Sequence, residues 1–261
     1  PGLQAKPSSH EAEVAGMRRA LRVLLTMVWI LAAETLIIAG AVLPAFVGGA
    51  RLLHASDAPP TVRLALVALM LIPGVVVSGV LVLVLSAIVC RMMGWRTPRD
   101  ADLPIEPLEW PLLRWVCYAA CTHVANVLVG SWLRASPIWA WYLRANGARI
   151  GRGVYVNSTN LSDHNLLELG DGVIIGSGVH LSGHTVEHGH VITGRVRIED
   201  HAVVGIGSVV GIDVVIGARA QIGALSLVPK HARLAGGITY AGVPVRPLDV
   251  HSSREKGGQS A

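Results

Sequence analysis

The chain has 261 residues, of which 52% are apolar and only 15% charged, with a net charge of +5. A charged fraction so far below the ~25% of ordinary soluble domains excludes a simple soluble globule and points to a membrane protein with a soluble portion. The basic excess is almost all Arg beside apolar runs, so it reads as membrane flanking and not as a nucleic-acid surface. Cys90, Cys117 and Cys121 lie in or beside apolar segments with no pairing pattern, which excludes a disulfide scaffold or a Cys-based zinc site.

The chain opens PGLQAKPSSH without an initiator Met, as expected for a fragment of something longer, and residues 1–17 read as a polar linker. Residues 23–50 carry one charge, Glu34, and residues 64–90 carry none. Both runs exceed the ~20 apolar residues that cross a bilayer and are too long for a signal-peptide core. Residues 18–99 are therefore expected to form a two-helix transmembrane hairpin. Arg18, Arg19 and Arg22 precede it, Arg91, Arg96 and Arg99 follow it, and the loop between has only Arg51 and Arg63. The positive-inside rule then puts both outer ends, and all that follows, in the cytoplasm. Glu34 is expected to pair with a neighbouring helix, through His123 or a tandem copy of the domain.

Residues 100–149 read as a membrane-proximal helical segment. Trp115 to Leu133 is uncharged but contains His123 and Asn126, and five of the seven Trp cluster nearby. A segment this short and polar-spotted is expected to lie in the interface, not to form a third span. Cys117 and Cys121, one helical turn apart, read as packing residues.

From residue 150 a period of six takes over. Ile192, Ile198, Val204, Val210, Ile216, Ile222 and Val228 are spaced by six without a break, and Gly205, Gly211, Gly217 and Gly223 follow four of them. Leu169, Ile175 and Leu181 keep the same spacing upstream, as do Ile150 and Val156. Helices need 3.6 and strands 2, so six implies a solenoid that turns a corner every six residues and points one aliphatic inward per side. Two stretches interrupt it: NSTNLSDHNLLE (Asn157–Glu168), and LSGHTVEHGHV, where Leu181 to Ile192 is eleven residues instead of twelve. Six of the eleven histidines fall between 164 and 201. Chemistry is expected at these breaks, because regular sides must stay aliphatic inside and compact outside.

The six-residue register over about 150–248 resembles the hexapeptide repeat of left-handed parallel β-helix acyltransferases. The fold class that follows is mixed: a transmembrane α-helical hairpin plus a left-handed parallel β-helix of four to five coils, with a disordered tail at 249–261. The left-handed coiling is what the resemblance implies, since crossovers are ordinarily right-handed. It also implies acyl transfer from a thioester, in which a His accepts the proton of an attacking amine or hydroxyl and backbone N–H groups hold the oxyanion.

A closer resemblance joins the apolar hairpin and aromatic segment to GARIGRGV (Gly147–Val154), ELGDGVIIGSGVHLSGHTVE (Glu168–Glu187) and GRVRIEDHAVVGIGSVV (Gly194–Val210). Together they resemble the membrane-bound terminal domains of nonribosomal peptide synthetases of the ε-poly-lysine synthetase type. That resemblance implies amide formation between an aminoacyl thioester, carried as phosphopantetheine on a carrier-protein domain, and an amine acceptor. It matches His184 to a general base, Glu187 to a group orienting the imidazole or holding a cationic acceptor, and Asp163 to an acid binding the acceptor ammonium. Asn165 stands where the pattern has an acid. His164, Asn165 and His180 are further acceptor-side candidates, Gly205 is placed near the oxyanion, and His201 reads as a corner residue. The ending YAGVPVRPL resembles the GxPA close of hexapeptide transferases, with Val245 in place of Ala. There Gly242 and Pro244 would pass the pantetheine arm. Other readings are a membrane-bound, acetyl-CoA-dependent O- or N-acetyltransferase and an inactive scaffold in a tandem array. The cluster HTVEHGH is not expected to hold a metal, since no Cys joins it and its spacing is not that of structural zinc. Homotrimers are usual for such β-helices, so a homotrimer or a tandem pseudo-trimer is expected.

Overall fold

A computed structural model describes residues 9–55 and 57–248. The tail at 249–261, and residues 1–8 of the expected linker, lie outside them. Helix α1, Ser9–Ala55, begins well before the expected hairpin start at 18, so residues 9–17 are helix and not linker. Helix α2 is Pro60–Met92, opened by a Pro in its first turn where a missing N–H is harmless. A Cβ on Gly40 would stand 3.0 Å from Leu85, and one on Gly74 3.5 Å from Ala45, so small residues let the two helices run antiparallel in close contact. Outward-facing side chains are large and apolar, with Phe46 71% and Ile72 77% exposed. Three helical stretches, Glu13–His54, Pro60–Met92 and Trp110–Leu133, are long and apolar enough to cross a membrane.

Helix α3, Trp110–Ala125, continues through one π-helical turn, Asn126–Gly130, to Leu133. Cys117, Cys121 and Ala125 bury one face, and the cysteines are free packing residues. His123 is exposed, and among the described residues no ion pair joins it to Glu34. Two points along this stretch touch the strand region: Trp115 hydrogen-bonds Asp163, and Asn126 donates to the Thr159 carbonyl. Helix α4, Pro137–Ala145, buries Trp139, Tyr142 and Leu143, so one continuous core runs from the helices into the strands.

From Arg149 onward the chain forms short strands in three parallel ladders. The first stacks Ile150, Leu169, Ile198, Ile216 and Leu234; the second Val156, Ile175, Val204, Ile222 and Tyr240; the third Leu181, Val210 and Val228. The chain visits the ladders in rotation, and stacked residues such as Ser208 and Ser226 stand 18 apart. The cause of the period lies at the corners. Positive φ recurs at His201, Gly207, Asp213, Arg219, Leu225, His231 and Gly237, one left-handed residue every six positions. Each such residue turns the chain from one ladder to the next, at a conformational cost that the stacked aliphatics must offset.

One step departs from this regularity. Glu168 pairs with Arg197, 29 residues on, because an antiparallel hairpin, His184–Glu187 with His190–Thr193, is inserted between Leu181 and Ile198. Ile192 belongs to this hairpin and stacks on no ladder, so its place in the six-residue series is coincidental. The linker after α2 supplies a third strand, Asp102–Pro104, with Asp102 opposite Ile192 and Pro104 opposite His190.

Candidate active site

The two interruptions of the repeat meet. Asp163 takes a left-handed backbone, φ 52°, which Asp tolerates better than most residues, and opens a short 3-10 turn, His164–Leu166. A Cβ on Gly183 would stand 2.7 Å from the Asp163 Cβ, so only glycine lets the strand pass this close. The next residue, His184, then brings Nδ1 to 2.6 Å from Asp163 Oδ2. The other oxygen, Oδ1, accepts from the Thr97 hydroxyl at 2.6 Å and from the Trp115 indole N–H at 2.9 Å. The Trp115 ring packs edge-on against the imidazole, 4.9 Å between centroids. Ser182 bonds the His184 carbonyl at 2.8 Å and so fixes the strand carrying the ring.

Burial would push the Asp163 carboxyl up. The His184 hydrogen bond and charge, with Thr97 and Trp115, outweigh it and hold the pKa below the ordinary value. The carboxylate is thus ionised although its side chain is only 2% exposed, and an ionised carboxylate only accepts. His184 Nδ1 must carry a proton, so in the neutral ring the lone pair is on Nε2, and the side chain is 27% exposed. A buried carboxylate that fixes the tautomer behind a partly open imidazole is the arrangement of a general base.

The other expected site residues fall in different places. Asp163 is not placed to bind an acceptor ammonium, because both its oxygens are occupied from within the protein. Asn165 clamps the linker: its Nδ2 donates to the Thr97 carbonyl at 2.8 Å and its Oδ1 accepts from the Thr97 N–H at 3.2 Å. An acid there could not donate, which accounts for the amide. His164 is buried between Tyr118 and Tyr142 with Nε2 on the Leu161 carbonyl, away from any acceptor, and burial pushes its pKa down to about 4. Glu187 does not orient the imidazole; it pairs with Lys230 at 2.6 Å, and that hydrogen bond lowers its pKa. His180 faces outward from the third ladder, with its pKa lowered by desolvation and then by the charge of nearby His184. The Gly205 N–H is spent on the Ile222 carbonyl at 2.8 Å, and a Cβ would lie 2.6 Å from Ala224 N, so this glycine serves coil stacking and has no N–H for an oxyanion. Gly242 donates to Ser226 Oγ and, with Pro244, closes the last circuit. His201 sits at a corner, as expected.

The histidines of HTVEHGH diverge. His184 faces Asp163, His188 stands at the hairpin turn, and His190 Nδ1 lies 2.6 Å from Asp102. Among the described residues no three His, Cys, Asp or Glu side chains converge on a metal position. Thr97, Trp115 and Gly183 are neighbours of Asp163 that the sequence alone did not reveal. Thr97 and Trp115 reach Asp163 across 66 and 48 residues, and no local pattern marks them.

Solved structures similar to the chain include several acetyltransferases, one of them described as containing a hexapeptide repeat. An acetyltransferase of Vibrio cholerae O1 biovar eltor, complexed with acetyl coenzyme A, is 26% identical over 40% of this chain and 60% of its own, with a TM-score of 0.36. Serine acetyltransferase of Neisseria gonorrhoeae, complexed with serine, is 19% identical over 66% and 56%, with a TM-score of 0.39. A galactoside acetyltransferase in complex with coenzyme A is 23% identical over 46% and 72%, with a TM-score of 0.35. No family model matches the chain. In sequence it is similar to Delta-poly-L-ornithine synthetase of Acinetobacter baumannii, 36% identical over 83 residues. That match covers 32% of this chain and 6% of the synthetase, so the chain spans a small part of its relative.

Proposed function

We propose that the chain is an acyltransferase that forms an amide by moving an acyl or aminoacyl group from a thioester to an amine. The observation that carries this reading is the 2.6 Å contact between His184 Nδ1 and the buried, ionised Asp163. In the reaction His184 Nε2 takes a proton from the amine as its nitrogen attacks the thioester carbonyl. The C–N bond forms, the C–S bond breaks, and the proton passes to the departing thiolate. Asp163 is a positioning residue, held in turn by Thr97 and Trp115.

The synthetase match favours a carrier-protein phosphopantetheine thioester as donor, with the chain as one domain of a peptide-forming assembly. The three ladders are read as the sides of a left-handed β-helix. Helices α1 and α2 are read as a membrane hairpin, with the β-helix on the cytoplasmic, Arg-flanked side. The stretch Trp110–Leu133 is read as lying along the interface, a reading supported by the hydrogen bonds of Trp115 and Asn126 to the strand region. Exposed apolar side chains on and beside the third ladder, Ile206, Val209 and Leu225, fit packing against two further copies or tandem domains.

The test offers the detergent-solubilised chain an amine with two donors separately, an aminoacyl carrier protein and acetyl coenzyme A. Amide product from the carrier thioester supports the reading. Product from acetyl coenzyme A alone makes the chain an ordinary acetyltransferase, and product from neither refutes acyl transfer.

A further inference from the structure

Some arginines flanking the helices have a partner, and others, Arg18 and Arg51 among them, have none among the described residues. Arg19 pairs with Glu106 at 2.8 Å, Arg22 donates to the Leu108 carbonyl, Arg63 to the Ala58 carbonyl, and Arg144 to Gly151. Arg91, Arg96, Arg99 and Arg114 differ: among the described residues none has an acidic or carbonyl partner. All four line one cavity of about 800 Å³ between the end of α2, the linker and α3, and no carboxylate lines it with them. All four are exposed, and a concavity lined by four Arg and no carboxylate is basic and favours an anion.

A second cavity, about 350 Å³, adjoins the first and shares Trp95 and Arg114 with it. Its other walls are mostly apolar and include Trp29, Met93, Trp110 and Leu113. A basic cavity that shares a wall with a tryptophan-lined one suits a molecule with an anionic head and an apolar tail. The pair lies at the end of α2, a helix long and apolar enough to cross a bilayer, where headgroups lie if it does.

We propose that this double cavity binds one anionic phospholipid, its phosphate among Arg91, Arg96, Arg99 and Arg114 and the start of its acyl chains against Trp29 and Trp110. The proposal rests on the membrane reading above. It also ties the lipid to the site: Arg96 and Arg99 flank Thr97, whose hydroxyl holds Asp163. A headgroup that orders this linker orders the support of the dyad, so turnover depends on the lipid.

The experiment measures thermal unfolding of the full chain in an uncharged detergent with phosphatidylglycerol, phosphatidylcholine, sn-glycerol 3-phosphate or coenzyme A added. Phosphatidylglycerol is expected to raise the midpoint on the order of 5 °C, and the other three to leave it unchanged. The shift is expected to fall by at least half in R96Q/R99Q, whose side chains are exposed, and to persist in R51Q, at the far end of the hairpin. Native mass spectrometry of wild type from vesicles with equal amounts of the two lipids gives a second readout, a bound phosphatidylglycerol in excess. Equal effects of the two lipids, or a full shift in R96Q/R99Q, would overturn the lipid site. A shift from glycerol phosphate or coenzyme A as large as that from phosphatidylglycerol would overturn it too and make the pocket one for soluble phosphates. Alkaline carbonate extraction separates the two levels: a chain washed off membranes refutes the membrane reading, whereas a retained chain with no lipid preference refutes the site alone.

Discussion

In Asp163→Asn the amide oxygen must stay on the Thr97 and Trp115 side, because the Trp115 indole N–H can only donate and an amide NH₂ has nothing to accept with. The NH₂ then faces His184 Nδ1, which becomes the acceptor. The ring proton moves to Nε2, and the nitrogen that should take the proton of the amine already carries one. The imidazole stays in place while its function is lost. General-base catalysis is worth about 10²–10⁴ in rate, and the equivalent Asp-to-Asn change in the serine-protease triad costs about 10⁴. A drop in kcat of about 10³ is expected, or about 4 kcal/mol of barrier. Asp163 is buried behind the ring, so KM should move by less than about threefold. The assay is the initial rate of amide formation, read by product mass, on wild type and variant shown by thermal melting to be equally folded. A variant within about threefold of wild-type kcat would refute the dyad.

Gly183→Ala forces a methyl to 2.7 Å from the Asp163 Cβ and 2.9 Å from Leu166, so activity should fall with a loss of about 1–3 kcal/mol in stability. Unchanged rate and melting would show that the approach of the two interruptions is not tight. Glu187→Gln removes a half-open ion pair to Lys230 and should leave kcat within about twofold and the melting midpoint close to that of wild type. A tenfold or larger loss would bring the hairpin carboxylate back into the reaction. His164 is held near 4 in the fold and titrates near ~6.5 unfolded, so between these values the unfolded chain binds a proton that the native chain does not. Its contribution is fully present above pH ~6.5 and is lost as pH falls toward 4, by about 3 kcal/mol in all. Denaturation at pH 7 and pH 4.5 should show this loss shrinking in His164→Leu, and an identical loss in the variant would contradict the burial argument.

The repeat was legible because its cause is local. One left-handed residue turns each corner, from His201 through Asp213, Arg219, Leu225 and His231, and one aliphatic points inward between corners. The same regularity misled at Ile192, where a hairpin strand happened to keep the spacing. His184 stood out because a polar cluster interrupts an aliphatic pattern, and the position of Asp163 was legible though not its role. Distinguishing a carboxylate that binds a substrate from one that orients a ring needs its burial and partners, and those partners come from a linker and a helix far away in sequence. Trp115 read as an interfacial ring by composition, yet its N–H is committed to Asp163. Asn165 looked like a departure from a pattern until the Thr97 peptide it clamps was in place.

The central claim is that His184 moves the proton in a thioester-to-amine transfer. Its most direct test is the mass of product formed by wild type and His184→Ala side by side, with an aminoacyl carrier protein as donor and a free amine as acceptor. The account predicts an amide of the summed residue masses from wild type and a rate lower by about 10³ or more from the variant. Equal product from both would contradict it.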